Sequence, residues 1–350
     1  MPPLERCRWV ERGGRPREES EPKARALSEA LGGLPMPLAR ALSRRGIETF
    51  EEARKFFRPD PSEGLHDPMG MKDLPAAARR IAEAARTPST SGAGEKALVY
   101  GDYDADGVTS TAMMTRFLRL QGIETSIFVP NRFEHGYGMH PDGLRKAKKE
   151  GASLVVALDC GANAREVAGL AEKMGLDLII GDHHTPPPEE NIPEGALAVI
   201  DPAREACDYP FETLCACGVG AKIIQGTLQE QGLPEEEAAR LVLSEYGDLI
   251  ATATSADIVD IGGENRVLMR EGLKKLREEP SAGLKAIARV GEIDLSEMTC
   301  GKIGFSIGPR LNAAGRIEDA GLAARLLLAE SEKEALPLAR RLEELTSPLR

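Results

Sequence analysis

The sequence predicts an α/β protein: a doubly wound parallel sheet, followed by a mostly helical segment and a connector helix. Three observations carry this expectation. From Lys96 to about residue 202, short apolar runs alternate with amphipathic stretches, the pattern of parallel strands joined by crossover helices. From 217 to 290 the sequence looks helical throughout, GLPEEEAARLVLSEYGDLIATATSADIVD alone supplying two or three consecutive helices. A last amphipathic run, Glu332 to Leu345, has a long charged face and stops near Pro348.

The elements follow in order. Residues 1–95 form an N-terminal helical extension and linker: a Pro/Gly/Arg-rich start, then helical patterning from Lys23 to Phe57, where Leu27, Leu31, Leu34 and Leu38 recur at helix-like spacing. TPSTSGAG (87–94) is a flexible linker by composition. The second region spans 96–290. Its predicted strands are KALVYGD (96–102), TSIFVP (125–130), LVVALDC (154–160), DLIIGD (177–182) and ALAVIDP (196–202). Helices are expected from Val108 to Gln121, Pro141 to Lys149 and Asn163 to Met174. In such sheets ligands bind beyond the carboxyl ends of the strands, so the polar residues ending each run are the candidates for function. Residues 291–350 contain a Gly-rich loop, KIGFSIGPRLNAAGR (302–316), and the start of the connector helix.

Composition narrows the function classes. With 350 residues, 41% hydrophobic and 29% charged, the chain can bury a sizeable core in about two domains. No apolar run approaches the roughly 18 residues that cross a bilayer, and the polar stretch Met1 to Glu21 lacks the apolar middle of an export signal. A soluble, cytoplasmic protein with no membrane partner is expected. The six cysteines suggest reduced thiols, and Cys215 with Cys217 lacks the second pair a structural zinc site needs. A net charge of -11 disfavours broad adhesion to a polyanion but leaves room for a local basic groove.

The strongest motif is GDYDADG (101–107), directly after a predicted strand. Asp102, Asp104 and Asp106 share the opening of an EF-hand loop, but the position requiring a bidentate glutamate is Met113, and a strand precedes the motif. Three carboxylates at the end of a buried strand repel one another unless cations lie between them. Asp159 ends the run LVVALDC, and GDHH places Asp182, His183 and His184 at a third strand end; SADIVD adds Asp257 and Asp260 at a predicted helix end. Such a mixed oxygen and nitrogen set suits manganese or magnesium, and two such cations activate water and neutralise phosphate oxygens in phosphoester hydrolysis. CGVGAKI (217–223) fails the phosphate-loop pattern and is expected to open a helix packed against the sheet.

GDYDADG, LDCGAN, GDHH and SADIVD occur in the order and at about the spacing of the DHH phosphoesterase family, and the chain resembles that family from about residue 40 to 345. PNRFEHGYGMH (130–140) and GPRLNAAGR (308–316) bring it close to the family's bacterial branch that degrades single-stranded DNA. The resemblance implies a 5′-to-3′ exonuclease in repair and recombination, holding two ions, Mn²⁺ or Mg²⁺. Its partners would be single-stranded DNA, with a single-strand-binding protein or a helicase as candidate protein partners.

Carried over by position, Asp104 would bind the first metal, Asp106 the second, and Asp159 both, with His183 and Asp257 completing the coordination. His184 would act beside the metals as a catalytic group, with Asp102 a near neighbour. Arg310 and Asn312 would hold the scissile phosphate, and Arg132 and His135 would line the crevice. Two departures stand out. Tyr100 occupies a place where the family's pyrophosphatases have histidine, and the resemblance implies a second lobe beyond the connector helix, which this chain, ending at Arg350, does not reach. Two alternatives remain open at this stage: a phosphodiesterase of short oligonucleotides or cyclic dinucleotides, and a catalytically silent scaffold, against which the retained carboxylates speak.

Overall fold

The computed structural model describes residues 17–86, 94–136, 138–317 and 321–346. Most of the predicted linker, 87–93, lies outside them. The chain divides into two compact units, ending and beginning at Asp60 and Pro61.

In the first unit, helices α1 (Arg17–Ala30), α2 (Met36–Ser43) and α3 (Phe50–Phe57) surround a small core of Leu27, Leu42, Ile47 and Ala53. Leu31 and Leu34 pack on it, whereas Leu38 is exposed. A capping box starts α3: Thr49 Oγ1 accepts the Glu52 N–H, and the Glu52 carboxylate accepts the Thr49 N–H.

The second unit opens with α4 (Pro61–Gly64) and α5 (Leu74–Arg86), then runs β1 (Lys96–Tyr100), α6 (Ala105–Leu120), β2 (Glu124–Phe128), α7 (Arg132–His135), α8 (Pro141–Glu150), β3 (Leu154–Leu158), α9 (Arg165–Lys173), β4 (Asp177–Gly181) and β5 (Ala198–Ile200). The division between these compact units falls at 60/61, and Leu74, Ala77, Ala78 and Ile81 of α5 are buried in the main core. The five strands among the described residues are all parallel, in the order β2-β1-β3-β4-β5.

The period of two along each strand divides the core. Val99, Val156, Leu158 and Ile179 face one side with α6, and Leu98, Tyr100, Val155, Ala157, Leu178 and Ile180 face the other with α8 and α9 residues. The chain runs outward from β1 to β2 and then returns to β3 on the other side of β1, so β1 and β3 flank a topological switch point. Crevices that bind ligands open there, at the strands' carboxyl ends.

The helical region that follows contains α10 (Ala216–Glu230), α11 (Glu235–Ala256), α12 (Gly263–Glu278), α13 (Ala282–Val290), α14 (Cys300–Ile317), α15 (Gly321–Leu328) and α16 (Glu332–Thr346). CGVGAKI does open a helix against the sheet: a Cβ on Gly220 would lie 3.5 Å from Leu158. The expected Gly-rich loop at 302–316, however, is the body of α14, despite Pro309 within it. Its glycines permit close approach instead of turning the chain. A Cβ on Gly308 would sit 3.1 Å from Ala256 Cβ, and one on Gly315 would sit 2.4 Å from the Tyr103 carbonyl oxygen. Among the described residues no helix is long and apolar enough to cross a membrane.

Candidate metal centre

The loop leaving β1 turns directly into α6, and its glycines make the turn possible. A Cβ on Gly107 would lie 2.5 Å from the Asp102 carbonyl oxygen, and one on Gly101 would collide with Thr111. Asp104 caps α6, its Oδ1 accepting the Gly107 N–H at 3.0 Å. The next amide, Ala105 N–H, donates to Asn312 Oδ1 at 2.7 Å, so α14 holds the same helix start. Asp106, one residue on, is buried and accepts two amides from the first turn of α10, Ala216 N–H at 2.7 Å and Cys217 N–H at 2.9 Å. Those are donors that a helix cannot satisfy internally, and the positive end of the helix favours a carboxylate there.

The other strands deliver their groups in parallel. Asp159 follows β3 with φ +65°, a left-handed conformation that aspartate tolerates better than most residues. Asp182 follows β4, and one of its oxygens accepts the Ala162 N–H at 2.9 Å. The other accepts from the His183 amide and from His184 Nδ1, each at 2.8 Å. Asp257 caps the C-terminus of α11.

These elements converge. Asp102, Asp104 and Asp159 each offer an oxygen within 4.8 Å of the others, as do the donor atoms of Asp106, His183 and Asp257, and those of Asp159, His183 and His184. Asp159 and His183 thus each belong to two groups. His183 Nε2 lies 3.3 Å from Asp159 Oδ1 and 3.7 Å from both Asp106 Oδ2 and Asp257 Oδ2. Spacings of this size resemble adjacent ligands around one ion, about 3 Å apart for bonds of about 2.1 Å.

Electrostatics points the same way. Burial, and then the charges of Asp257 and Asp104, push Asp106 up to about 8. Burial followed by Asp106 and Asp104 raises Asp159 well above the carboxylate range. Burial lifts Asp102 to about 7, with Asp104 adding to it against the Tyr103 amide, and burial with Asp104 lifts Asp257 to about 6. The two histidines diverge. Burial, helped by the His184 charge, depresses His183 to about 4, leaving a neutral ring with a free lone pair for a ligand bond. The hydrogen bond to Asp182 raises His184 to about 9, so it is an imidazolium at neutral pH. Asp182 itself stays ionised because bonds from His184 and the amides outweigh its burial.

Two buried oxygens in this cluster, Asp102 Oδ1 and Asp159 Oδ2, have no hydrogen-bond partner among the described residues. Unmatched buried acceptors are costly, and hard divalent cations bind carboxylate oxygens and neutral imidazole. The residues present therefore fit Mn²⁺ or Mg²⁺.

Other predicted residues are placed differently. Arg132 stands over the Tyr103 ring, 5.5 Å from its centroid, beside the aspartate loop. His135 stays within its own segment: Nδ1 accepts the Asn131 N–H and Nε2 lies 3.5 Å from Asp142. Arg310 lies on another face of α14 from Asn312. Its guanidinium is buried, bonded to both oxygens of Glu343 in α16 and to the Ser306 carbonyl. Two residues along a helix turn about 200°, so Asn312 reaches α6 while Arg310 faces the opposite side. Sequence reasoning missed the α10 amides on Asp106 and also Asp201, which is fully buried after β5, has an unpartnered Oδ2 and is raised to about 7 by burial. Asp201 ends an apolar run just as Asp159 does, a signal that was legible.

Residues 96–254 match the family model described as DHH family, N-terminal domain. This segment begins at β1 and carries every group of the cluster except Asp257, three residues beyond it. Residues 96–254 are a DHH-family domain. The DHH domain and its flanks are 38% identical over 323 residues to the single-stranded-DNA-specific exonuclease RecJ of Bacillus subtilis, covering 92% of this chain. The chain spans 38% of that relative's length.

A crystal structure of exonuclease RecJ bound to manganese superposes with a TM-score of 0.68 at 32% identity, covering 79% of this chain and 66% of the other. RecJ from Thermus thermophilus in complex with Mn²⁺ gives 0.76 at 28% identity, covering 98% of this chain and 46% of that one. The same Thermus protein has also been crystallised with Mg²⁺.

Proposed function

We propose that this chain is the metal-binding half of a RecJ-type phosphodiesterase, a single-strand-specific DNA exonuclease working 5′ to 3′ in repair and recombination. The observation that carries the reading is the pair of donor groups sharing Asp159, one with Asp102 and Asp104 and one with His183 and His184, in which the buried Asp102 Oδ1 and Asp159 Oδ2 lack hydrogen-bond partners among the described residues. In this reading Asp104, Asp106, Asp159, His183 and Asp257 hold two Mn²⁺ or Mg²⁺ ions. When bound, such ions lower the pKa of water and neutralise phosphate charge.

The chain's own groups do the rest. The first turn of α10 fixes the Asp106 carboxylate, and α14, through Asn312, fixes the turn that bears Asp104. His184, kept protonated by Asp182, presents a positive charge beside the cluster, suited to a phosphate oxygen or to giving a proton to the leaving oxygen. Arg132, held on Tyr103, adds a second positive group at the same loop. Asp102, raised to about 7, is partly protonated at neutral pH and limits the repulsion among its neighbours.

The test is a cleavage assay on 5′-labelled single strands, duplexes and dinucleotides with Mn²⁺, Mg²⁺ or EDTA. Metal-dependent release of mononucleotides from single strands alone is expected. Cleavage of dinucleotides but not of strands would shift the reading to an oligonucleotide phosphodiesterase, and inertness on all three would refute it.

A further inference from the structure

Tyr100 ends β1, and its side chain is fully buried on the face of the sheet that packs with α8 and α9 residues. The ring fits closely: it lies 5.1 Å from the Phe128 ring, and a Cβ on Gly143 would come within 2.5 Å of it. Phenylalanine would fill that space equally well, so the hydroxyl is what distinguishes tyrosine here. That hydroxyl meets backbone distant in the chain. It donates to the Gly138 carbonyl oxygen at 3.3 Å and accepts the His140 N–H at 2.9 Å. A buried phenol needs such partners. Both lie in the stretch between β2 and α8, where the single turn of α7 is the regular structure among the described residues.

The same stretch carries Arg132, and a chain of contacts joins it to Tyr100. The His140 ring lies 4.9 Å from the His135 ring, which packs on Phe128 at 5.6 Å. His135 Nδ1 in turn accepts the N–H of Asn131, the residue before Arg132, at 2.9 Å. His135, His140 and Asp142 bring donor atoms within 4.8 Å of one another, yet Nδ1 of each ring already accepts a backbone amide, so the trio fastens the segment and is not an open metal site. From this segment Arg132 reaches the ring of Tyr103, between Asp102 and Asp104. We infer that the Tyr100 hydroxyl is a positioning group for the substrate strand: by holding Gly138 and His140 it fixes the His135 turn, and so the place where the Arg132 guanidinium receives a phosphate beside the aspartate loop. This rests on the nuclease reading above, in which Arg132 meets the strand; Tyr100, buried, acts through it.

Tyr100→Phe keeps the ring and removes both hydrogen bonds. The full chain carrying it is compared with Arg132→Ala and with the double variant, in cleavage of 5′-phosphorylated single strands with Mn²⁺ and in Mn²⁺ binding by calorimetry. Tyr100→Phe should raise KM about tenfold with kcat within about twofold, because a displaced guanidinium loses strand binding while the metal ligands stay in place. Mn²⁺ affinity should remain within about twofold of wild type, a result that a general loosening of the fold would not give. In the Arg132→Ala background the Tyr100 change should raise KM by no more than about twofold, since the two residues act as one unit. An unchanged KM in either single variant, an equal rise from Tyr100→Phe with and without Arg132, or a loss of Mn²⁺ affinity matching the rise in KM overturns the assignment of Tyr100 alone. A wild-type chain that cleaves no strand refutes the nuclease reading and takes this inference with it.

Discussion

Replacing Asp159 with asparagine probes the carboxylate cluster at its shared member. Asparagine keeps the shape and tolerates the left-handed backbone at this position, so only the charge changes. At separations up to 4.8 Å and an effective dielectric constant of 20, each charged neighbour repels Asp159 by about 3.5 kcal/mol. Partial protonation of those neighbours reduces the net relief to about 2–3 kcal/mol, which corresponds to a rise of about 3–4 °C in the metal-free melting temperature at pH 8.

The sign follows from linkage. The cluster's carboxyls titrate higher in the folded protein than in the unfolded chain, so the folded state binds the extra protons. Metal-free stability therefore falls as pH rises from about 4 through about 8, and the variant should show a shallower fall. Thermal unfolding after EDTA treatment, repeated with added Mn²⁺, measures both effects. Wild type should recover stability with Mn²⁺, whereas the variant should recover little and bind Mn²⁺ at least about tenfold more weakly by calorimetry. A variant that melts below wild type at pH 8, or that keeps the full Mn²⁺ shift, refutes the claim that repulsion and metal share one site.

Three further outcomes are expected. Asp182→Asn should bring the His184 titration, followed by NMR, from about 9 toward 6.5; the stability this pair contributes is complete below 6.5 and lost as pH rises through 9, so the variant should differ least from wild type above that value. Asn312→Ala removes the acceptor for Ala105 N–H and should cost about 1 kcal/mol in denaturant unfolding, with weaker Mn²⁺ binding because Asp104 and Asp106 sit on the same turn. Gly315→Ala drives a Cβ into Tyr103 and should destabilise by about 1–3 kcal/mol, whereas Gly301→Ala, in the same helix with nothing near its Cβ, should be neutral or stabilising in parallel melts.

Much of the fold was legible because the strands announce themselves: KALVY, LVVAL and DLIIG are apolar runs ended by a polar group, and each polar group lies where the sheet opens. Asp102, Asp159, Asp182 and the two histidines could be gathered from that rule, whereas Asp257 stands at the end of a helix. What stayed hidden depends on partners distant in the chain. Backbone amides leave no mark in a sequence, so the hold of α10 on Asp106 could not be read from Cys215 to Cys217. Glycine signals both turns and close packing, and at Gly308 and Gly315 packing prevailed over the turn. The bond from Arg310 to Glu343, 33 residues away, is likewise fixed by which face of α14 the residue occupies.

That helix has a mechanical consequence. Within two residues α14 grips α16 by a buried ion pair on one face and the first peptide of α6 on the other. A short rigid segment fastened at both sides behaves as a strut. Any load that pulls α16 out of register must therefore break the Arg310 clasp or shift the very turn on which two of the clustered aspartates ride.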